Sequence, residues 1–483
     1  MSINRSAGVL CHISSLPGKY GIGSLGKEAH VFARQIRKSG FQYWQILPLV
    51  QTGFGDSPYQ SVCCNSGNPY FIDLDILIEE GLLKPAEAPE YELKDVDYAA
   101  VYFERYETLK KAFRRFTKTP SEDYEKFKAE NAFWLDDYAW FMALKEAHEM
   151  QAWYTWEPKY MHRTASMTKF TRAAEFHKFL QYEFFRQWIK LKEYANAHGV
   201  KIVGDMPIYV AHDSVEVWSN PKQFLLNEDL TKKVVAGVPP DYFSEDGQLW
   251  GNPIYDWEYM KNTDYEWWVM RMSMALKLYD VVRIDHFRAF ADYYVIPADR
   301  TDARVGEWKP GPGMALFNVI NQKLGSPEII AEDLGELHDC VRELVRATGY
   351  PGMKIMQFSF DGNPYNDFYY TNYQPNCVAY PGTHDNDTTR GWFEALNDND
   401  KALVRRTLGY YDGDKIAEVI TERLYSSAAN TVIIPMQDIL DLPTSARMNT
   451  PSTLGGNWAW RSNPDWVEKA PAIREMLKKY NRL

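Results

Sequence analysis

Eight short, continuous apolar runs, rich in β-branched residues, limit what this chain can fold into. They are GVLCHISSL (8–16), QYWQILPL (42–49), VKIVGDMPI (200–208), VVRIDHF (281–287), EIIAEDL (328–334), GMKIMQFSF (352–360), CVAYPGTHD (377–385) and TVIIPMQDIL (431–440). Unbroken apolar runs are what strands of a parallel sheet, covered on both faces, require. Helical stretches separate them, most clearly at 25–39, 172–198, 264–279, 336–347 and 399–425. Strands alternating with helices make βα units, and eight such units predict a closed (β/α)8 TIM barrel, with an open doubly wound sheet as the alternative.

A barrel with insertions uses all 483 residues, 1–483, as a single catalytic domain. Two intervals are too long for ordinary loops: 50–171 between the second and third runs, and 209–263 between the third and fourth. Both leave from strand C-terminal ends, hence from the expected active face. They are expected to form inserted, largely helical subdomains.

The net charge of -11 argues against a nucleic-acid groove, which would present a basic face. No apolar stretch is long enough to span a membrane. The first residues, MSINRSAGVLCHISSLPG, lack an apolar core of signal-peptide length. Five cysteines without a CxxC pair or metal spacing make a disulfide framework or a metal site unexpected. The expectation is a cytoplasmic protein with no obligatory protein partner. Aromatic residues make up 15% of the chain, and those lying in Gly/Pro/Asn/Asp loops could stack on sugar faces.

Three of the apolar runs end in acidic motifs: VVRIDHFR, EIIAEDLG and YPGTHDNDT. Each places a carboxylate where a buried strand would end: Asp285, Glu332 and Asp385. A parallel barrel gathers its strand C-terminal ends on one face, and glycoside chemistry needs two convergent carboxylates. Arg283 and Asp285 are two apart and share one side of a strand, so Arg283 could hold Asp285 ionised by lowering its pKa. A Glu332 crowded by other carboxylates would have its pKa raised, as a general acid needs. Taken singly, each motif also has a structural reading. An R-x-D can be a rim ion pair, Asp333 a helix cap, and Asp387 the cap of a helix near 390. GIGSLG (21–26) matches a dinucleotide fingerprint only superficially, because residues 43–51 offer no acid and Glu28 follows Lys27; a loop before a helix suffices.

R-x-D, E-D-L-G and H-D-N in that order, preceded by GDMPIYV (204–210), resemble the conserved regions of the α-amylase superfamily. TGFGDSPYQSVCCNSGNPY (52–70) and VPPDYFSEDGQLWGNPIYDW (238–257) narrow the resemblance to the amylomaltase, or 4-α-glucanotransferase, family. It runs from SAGVLCHISSLPGKYGIGSLG (6–26) to GGNWAWR (455–461). The resemblance implies a barrel with inserted subdomains and no separate C-terminal β-domain. It implies Asp285 as nucleophile, Glu332 as general acid/base and Asp385 as the carboxylate that favours the distorted, oxocarbenium-like ring. It puts Tyr59, Asp205, Arg283 and His384 around the cleaved glucose, Asp241, Tyr242, Phe243 and Trp250 in a mobile loop over the acceptor side, and Asn457 among the substrate-binding groups.

The activity so implied is transfer of an α-1,4-glucan segment to the 4-hydroxyl of a glucose or glucan acceptor with retention. It includes maltooligosaccharide disproportionation and, potentially, cyclic glucan formation, with no cofactor and no calcium ion. Retention predicts a separation of about 5–5.5 Å between the Asp285 and Glu332 carboxyl groups. A hydrolase built on the same machinery and a silent glucan-binding protein are the rival readings. The vicinal pair Cys63 and Cys64 receives no role.

Overall fold

The computed structural model describes residues 5–53, 55–91, 94–240, 245–335, 337–410 and 415–483. Eight parallel strands close into a barrel in chain order: Ser6–Leu10, Tyr43–Gln45, Lys201–Pro207, Val281–Asp285, Ile329–Ala331, Gly352–Ile355, Cys377–Tyr380 and Thr431–Pro435. The last pairs with the first from Ser6 opposite Thr431 to Leu10 opposite Pro435, and this closure leaves the barrel no free edge. Every predicted run contributes one strand. Each strand is shorter than its run, because the trailing residues turn outward into the loops of the active face.

The fourth barrel strand shows why sequence pattern becomes site geometry. Val281–Asp285 is buried along its length except at Asp285. Residues two apart share a face, so Arg283 and Asp285 point to one side while Val282 and Ile284, both fully buried, point to the other. The third strand runs alongside in register, with Asp205 opposite Arg283 and Pro207 opposite Asp285.

The barrel helices form at the expected places, as Lys27–Lys38, Thr171–Ala197, Glu266–Leu278 and Asp339–Thr348. GIGSLG is the loop before the first of them, with Gly26 as its N-cap. The predicted helix over 399–425 is two, Asp398–Leu408 and Ile416–Ser426. The first stops at Gly409, which takes the left-handed conformation (φ 64) common just past a helix end.

The interval 50–171 is largely helical, as expected. Its long helices Tyr98–Phe116 and Glu122–Ala147 begin at side-chain caps from Asp97 and Ser121. Their aromatic faces pack on the helix Thr171–Ala197 through pairs such as Phe113–Phe179 and Trp134–Phe185.

The interval 209–263 departs from expectation. It supplies two antiparallel strands, Val234–Val238 and Gln248–Pro253. They join Asp292–Pro297 and Glu307–Pro310, from beyond the fourth barrel strand, in a four-stranded sheet. Short apolar stretches such as DYYVIP, outside the eight barrel runs, carried this signal. Among the described residues, no helix is long and apolar enough to cross a membrane.

Candidate active site

Asp285 and Glu332 sit at the ends of neighbouring barrel strands. Ile284 is paired with Ala331, and each carboxylate is the next residue along. His286, directly after Asp285, takes a left-handed conformation (φ 54, ψ 47). Its N–H thereby donates to Glu332 Oε2 at 2.7 Å, and the N–H of Leu334 donates to Oε1 at 3.0 Å. Two backbone donors thus fix the plane of the Glu332 carboxyl.

Arg283 fixes Asp285. Its guanidinium Nη2 lies 3.0 Å from Asp285 Oδ1, while Nη1 donates to both oxygens of Asp205 at 2.7 Å. Asp205 is wholly enclosed (0% side-chain exposure) and also accepts from the Tyr59 hydroxyl at 2.7 Å. Tyr59, Asp205, Arg283 and Asp285 therefore form one continuous chain of contacts.

Arg283 lowers the Asp285 pKa as expected, but burial outweighs it and the net shift is upward. Burial pushes Asp285 up to about 6; Arg283 opposes this, and the charges of Asp205 and Asp385 add to it. Glu332 is pushed further, to about 7, first by burial and then by the charge of Asp285, against the pull of Arg283 and the two backbone donors. The like-charge cause inferred from sequence is present, but burial ranks first. Burial and like charge thus raise both carboxyls, and the pair holds a proton between them to higher pH than an isolated carboxyl would.

Asp385 is not at a strand end. The seventh strand stops at Tyr380, and Asp385 stands in the following loop. Two residues that the sequence reading missed hold it there. Asn449 donates to Asp385 Oδ1 at 2.6 Å, and Arg447 donates to the Asp385 carbonyl at 2.6 Å. His384 Nε2 lies 3.4 Å from the Asp385 carboxylate, and its ring stacks on Tyr59 with centroids 5.1 Å apart and planes at 10°.

Two further residues close around this stack. The Trp458 ring lies 5.7 Å from Tyr59 and 5.9 Å from His384. His12 is buried and its pKa falls to about 3, through burial first and then the neighbouring His384, so its imidazole is neutral. Both were within reach of sequence reasoning. Trp458 is part of the GGNWAWR motif, and His12 interrupts the first apolar run.

Other expectations resolve differently. Asp333 caps no helix; it accepts from the N–H of Met353 at 2.7 Å and ties the fifth strand to the sixth. The helix Thr389–Ala395 is capped by Thr388, while Asp387 accepts from Thr444 Oγ1 at 2.8 Å. Asn457 closes its own loop, accepting from the N–H of Thr450 and donating to Thr453. Trp250 belongs to the edge strand Gln248–Pro253 and not to a loop, and it meets the His286 ring edge-on at 4.7 Å. Antiparallel pairing with Val234–Val238 satisfies the backbone that a loop would leave to water. Asp241, Tyr242 and Phe243 lie outside the described residues.

The model of one family, 4-alpha-glucanotransferase, matches residues 11–465. The chain belongs to that family. It is 47% identical to a 4-alpha-glucanotransferase of Clostridium butyricum, over 98% of this chain and 99% of that one. It is 42% identical to the Thermus thermophilus enzyme of the same name, over the full length of both. Among solved structures it superposes on the amylomaltase from Streptococcus agalactiae in complex with acarbose with a TM-score of 0.96, at 42% identity and 99% coverage of each chain. The enzyme is thus a carbohydrate-active transferase on a TIM-type barrel.

Proposed function

We propose that this enzyme transfers a segment of an α-1,4-glucan to the 4-hydroxyl of an acceptor glucose or glucan by a retaining double displacement. The observation that carries the reading is the Asp285–Glu332 pair. The two stand on adjacent strand ends, are separately held by Arg283 and by two backbone N–H groups, and are pushed up to about 6 and about 7. Groups whose environments part their pKa values divide the acid and base roles between them.

In the first displacement, an oxygen of the Asp285 carboxylate attacks the anomeric carbon. The bond from that carbon to the glycosidic oxygen breaks, and Glu332 gives its proton to the departing oxygen. This leaves a β-linked glycosyl ester on Asp285. In the second, the 4-hydroxyl of an acceptor gives its proton to Glu332 and attacks the same carbon, and Asp285 leaves as carboxylate. Two easier steps replace one hard step.

Asp385, aimed by Asn449, accepts sugar hydroxyls and strengthens those bonds as the ring flattens. Arg283 holds Asp285, and Asp205 and Tyr59 act through Arg283. Acarbose in the related amylomaltase supports an α-glucan as the bound class. The continuous buried core from barrel to insertions supports reading the chain as one catalytic domain. Incubation with pure maltotriose tests the activity. Glucose with longer dextrins is the expected product set. Glucose and maltose alone would mean hydrolysis, and no change would mean a binding protein.

A further inference from the structure

The segment that follows Glu332 carries a second cluster of ligating side chains. Asp292, His338 and Cys340 converge so that one ligand atom from each lies within 4.8 Å of the others. No spacing in the sequence points to it, because Asp292 comes from the strand Asp292–Pro297 while His338 and Cys340 straddle the start of the helix Asp339–Thr348. Asp292 is buried. Its Oδ1 accepts from Arg288 Nη2 at 2.9 Å, which leaves Oδ2 in direct hydrogen-bond contact with His338 Nδ1. The Trp308 ring lies edge-on to His338 at 4.9 Å and carries the Arg288 guanidinium over its face at 4.1 Å. The exposed imidazole is therefore oriented by one hydrogen bond and one ring contact. The Cys340 thiol is within hydrogen-bond reach of Asp292.

We propose that Asp292 Oδ2, His338 Nδ1 and Cys340 Sγ form a binding site for one borderline-soft divalent cation of the Zn2+ type, with water in the fourth position. One oxygen, one nitrogen and one sulfur donor suit Zn2+ and do not suit Ca2+ or Mg2+, which take oxygen ligands. Metal–ligand bonds of roughly 2.0–2.3 Å give a tetrahedron with edges of about 3.3–3.8 Å. The observed spread closes to this by small side-chain movements. On binding, the thiol proton leaves and His338 carries its single proton on Nε2, so that two anionic ligands and one neutral imidazole balance the ion. Arg288, on the other carboxylate oxygen, is the outer partner that orients the ligand. The ion ties the segment after the fifth barrel strand, which carries Glu332, to the segment after the fourth, which carries Asp285. None of the three ligands belongs to the proposed reaction.

Co2+ added to the chelator-treated enzyme tests this. The expected result is a thiolate-to-cobalt charge-transfer band in the near ultraviolet that saturates at one equivalent and is displaced by Zn2+. Among the cysteines, Cys340 is exposed, Cys64 is half-buried and Cys11, Cys63 and Cys377 are buried. The band must therefore vanish in Cys340→Ser, and His338→Ala must bind Co2+ at least tenfold more weakly. In the unmodified enzyme, Zn2+ must protect Cys340 from alkylation by iodoacetamide. Absence of the band, its survival in Cys340→Ser, undiminished affinity in His338→Ala or unprotected Cys340 at saturating Zn2+ each overturns the site.

Discussion

The N–H of His286 donates to the carboxyl of Glu332 at 2.7 Å, so the residue next to one carboxylate fixes the other. The bond exists because the chain turns left-handed at His286 as it leaves the fourth strand. That turn costs backbone strain in a non-glycine residue, and such strain gathers at functional sites. Its product is a rigid pair. Asp285 is anchored through Arg283 and Glu332 through backbone N–H groups, so the spacing between them does not depend on side-chain rotamers alone.

Activity should be confined to a narrow range of pH. Asp285 must be ionised to attack and Glu332 protonated to assist departure. The rate on maltotriose then rises as pH passes about 6 and falls as it passes about 7, a narrow bell. The two limbs belong to the pair and not to either residue alone. With Glu332→Gln and a glycosyl fluoride donor, whose leaving group needs no proton, the first step should lose its alkaline limb. A limb that persists in the variant would assign the acid elsewhere.

Asp285→Asn should abolish transfer and stabilise the fold at high pH. The folded-state pKa of Asp285 is raised from 3.8 to about 6, so the native state holds a proton that the unfolded chain gives up. Stability from this group is full below about pH 4 and is lost as pH rises through about 6. The amide carries no such loss, and its oxygen can still accept from Arg283. The Tm of the variant should exceed that of the wild-type enzyme at pH 8 and converge with it near pH 3. A lower Tm at pH 8 would mean that Arg283 outweighs burial.

The barrel was legible because its signal is redundant. Eight apolar runs must all find two-sided cover, and one topology supplies it. Asp285 and Glu332 were legible because each directly follows the last apolar residue of a buried strand, Ile284 and Ala331. Asp385 was found by motif but misplaced, since its position depends on Asn449, a partner 64 residues away that no local pattern marks. Asp205 was found, but its complete enclosure by Arg283 and Tyr59 was not, because burial of a carboxylate depends on partners that approach from other strands. The antiparallel sheet went unread because its strands come from two separate intervals.

Asn449→Ala should slow transfer with little change in KM. Asn449 donates to Asp385 without lying on any strand or helix of the barrel wall. Its loss leaves Asp385 free to rotate away from the sugar hydroxyls it serves in the transition state. A hydrogen bond to a charged group is worth about 1.5–3 kcal/mol, so kcat should fall on the order of tenfold to a hundredfold. An unchanged kcat with a raised KM would show that Asp385 contributes ground-state binding only.

For transfer to prevail, a glucan and not water must take the glycosyl ester. Bulk water would win by mass action unless the protein excludes it and orients an acceptor. Trp250 is placed for that task. It is held on the edge strand Gln248–Pro253, its indole N–H donates to Gln248 at 3.1 Å, and it is half-buried edge-on against His286, the neighbour of Asp285. A large apolar ring there covers one approach to the ester while offering a face to an acceptor sugar. Trp250→Ala opens that approach without touching Asp285, Glu332 or Asp385. Cleavage of maltotriose should continue, while the ratio of hydrolysis to transfer rises severalfold or acceptor dependence weakens. New reducing ends, measured beside glucose and dextrin products, give the ratio. If both ratio and acceptor dependence stay at wild-type values, the Trp250 ring is packing for the sheet and the barrier to water lies elsewhere.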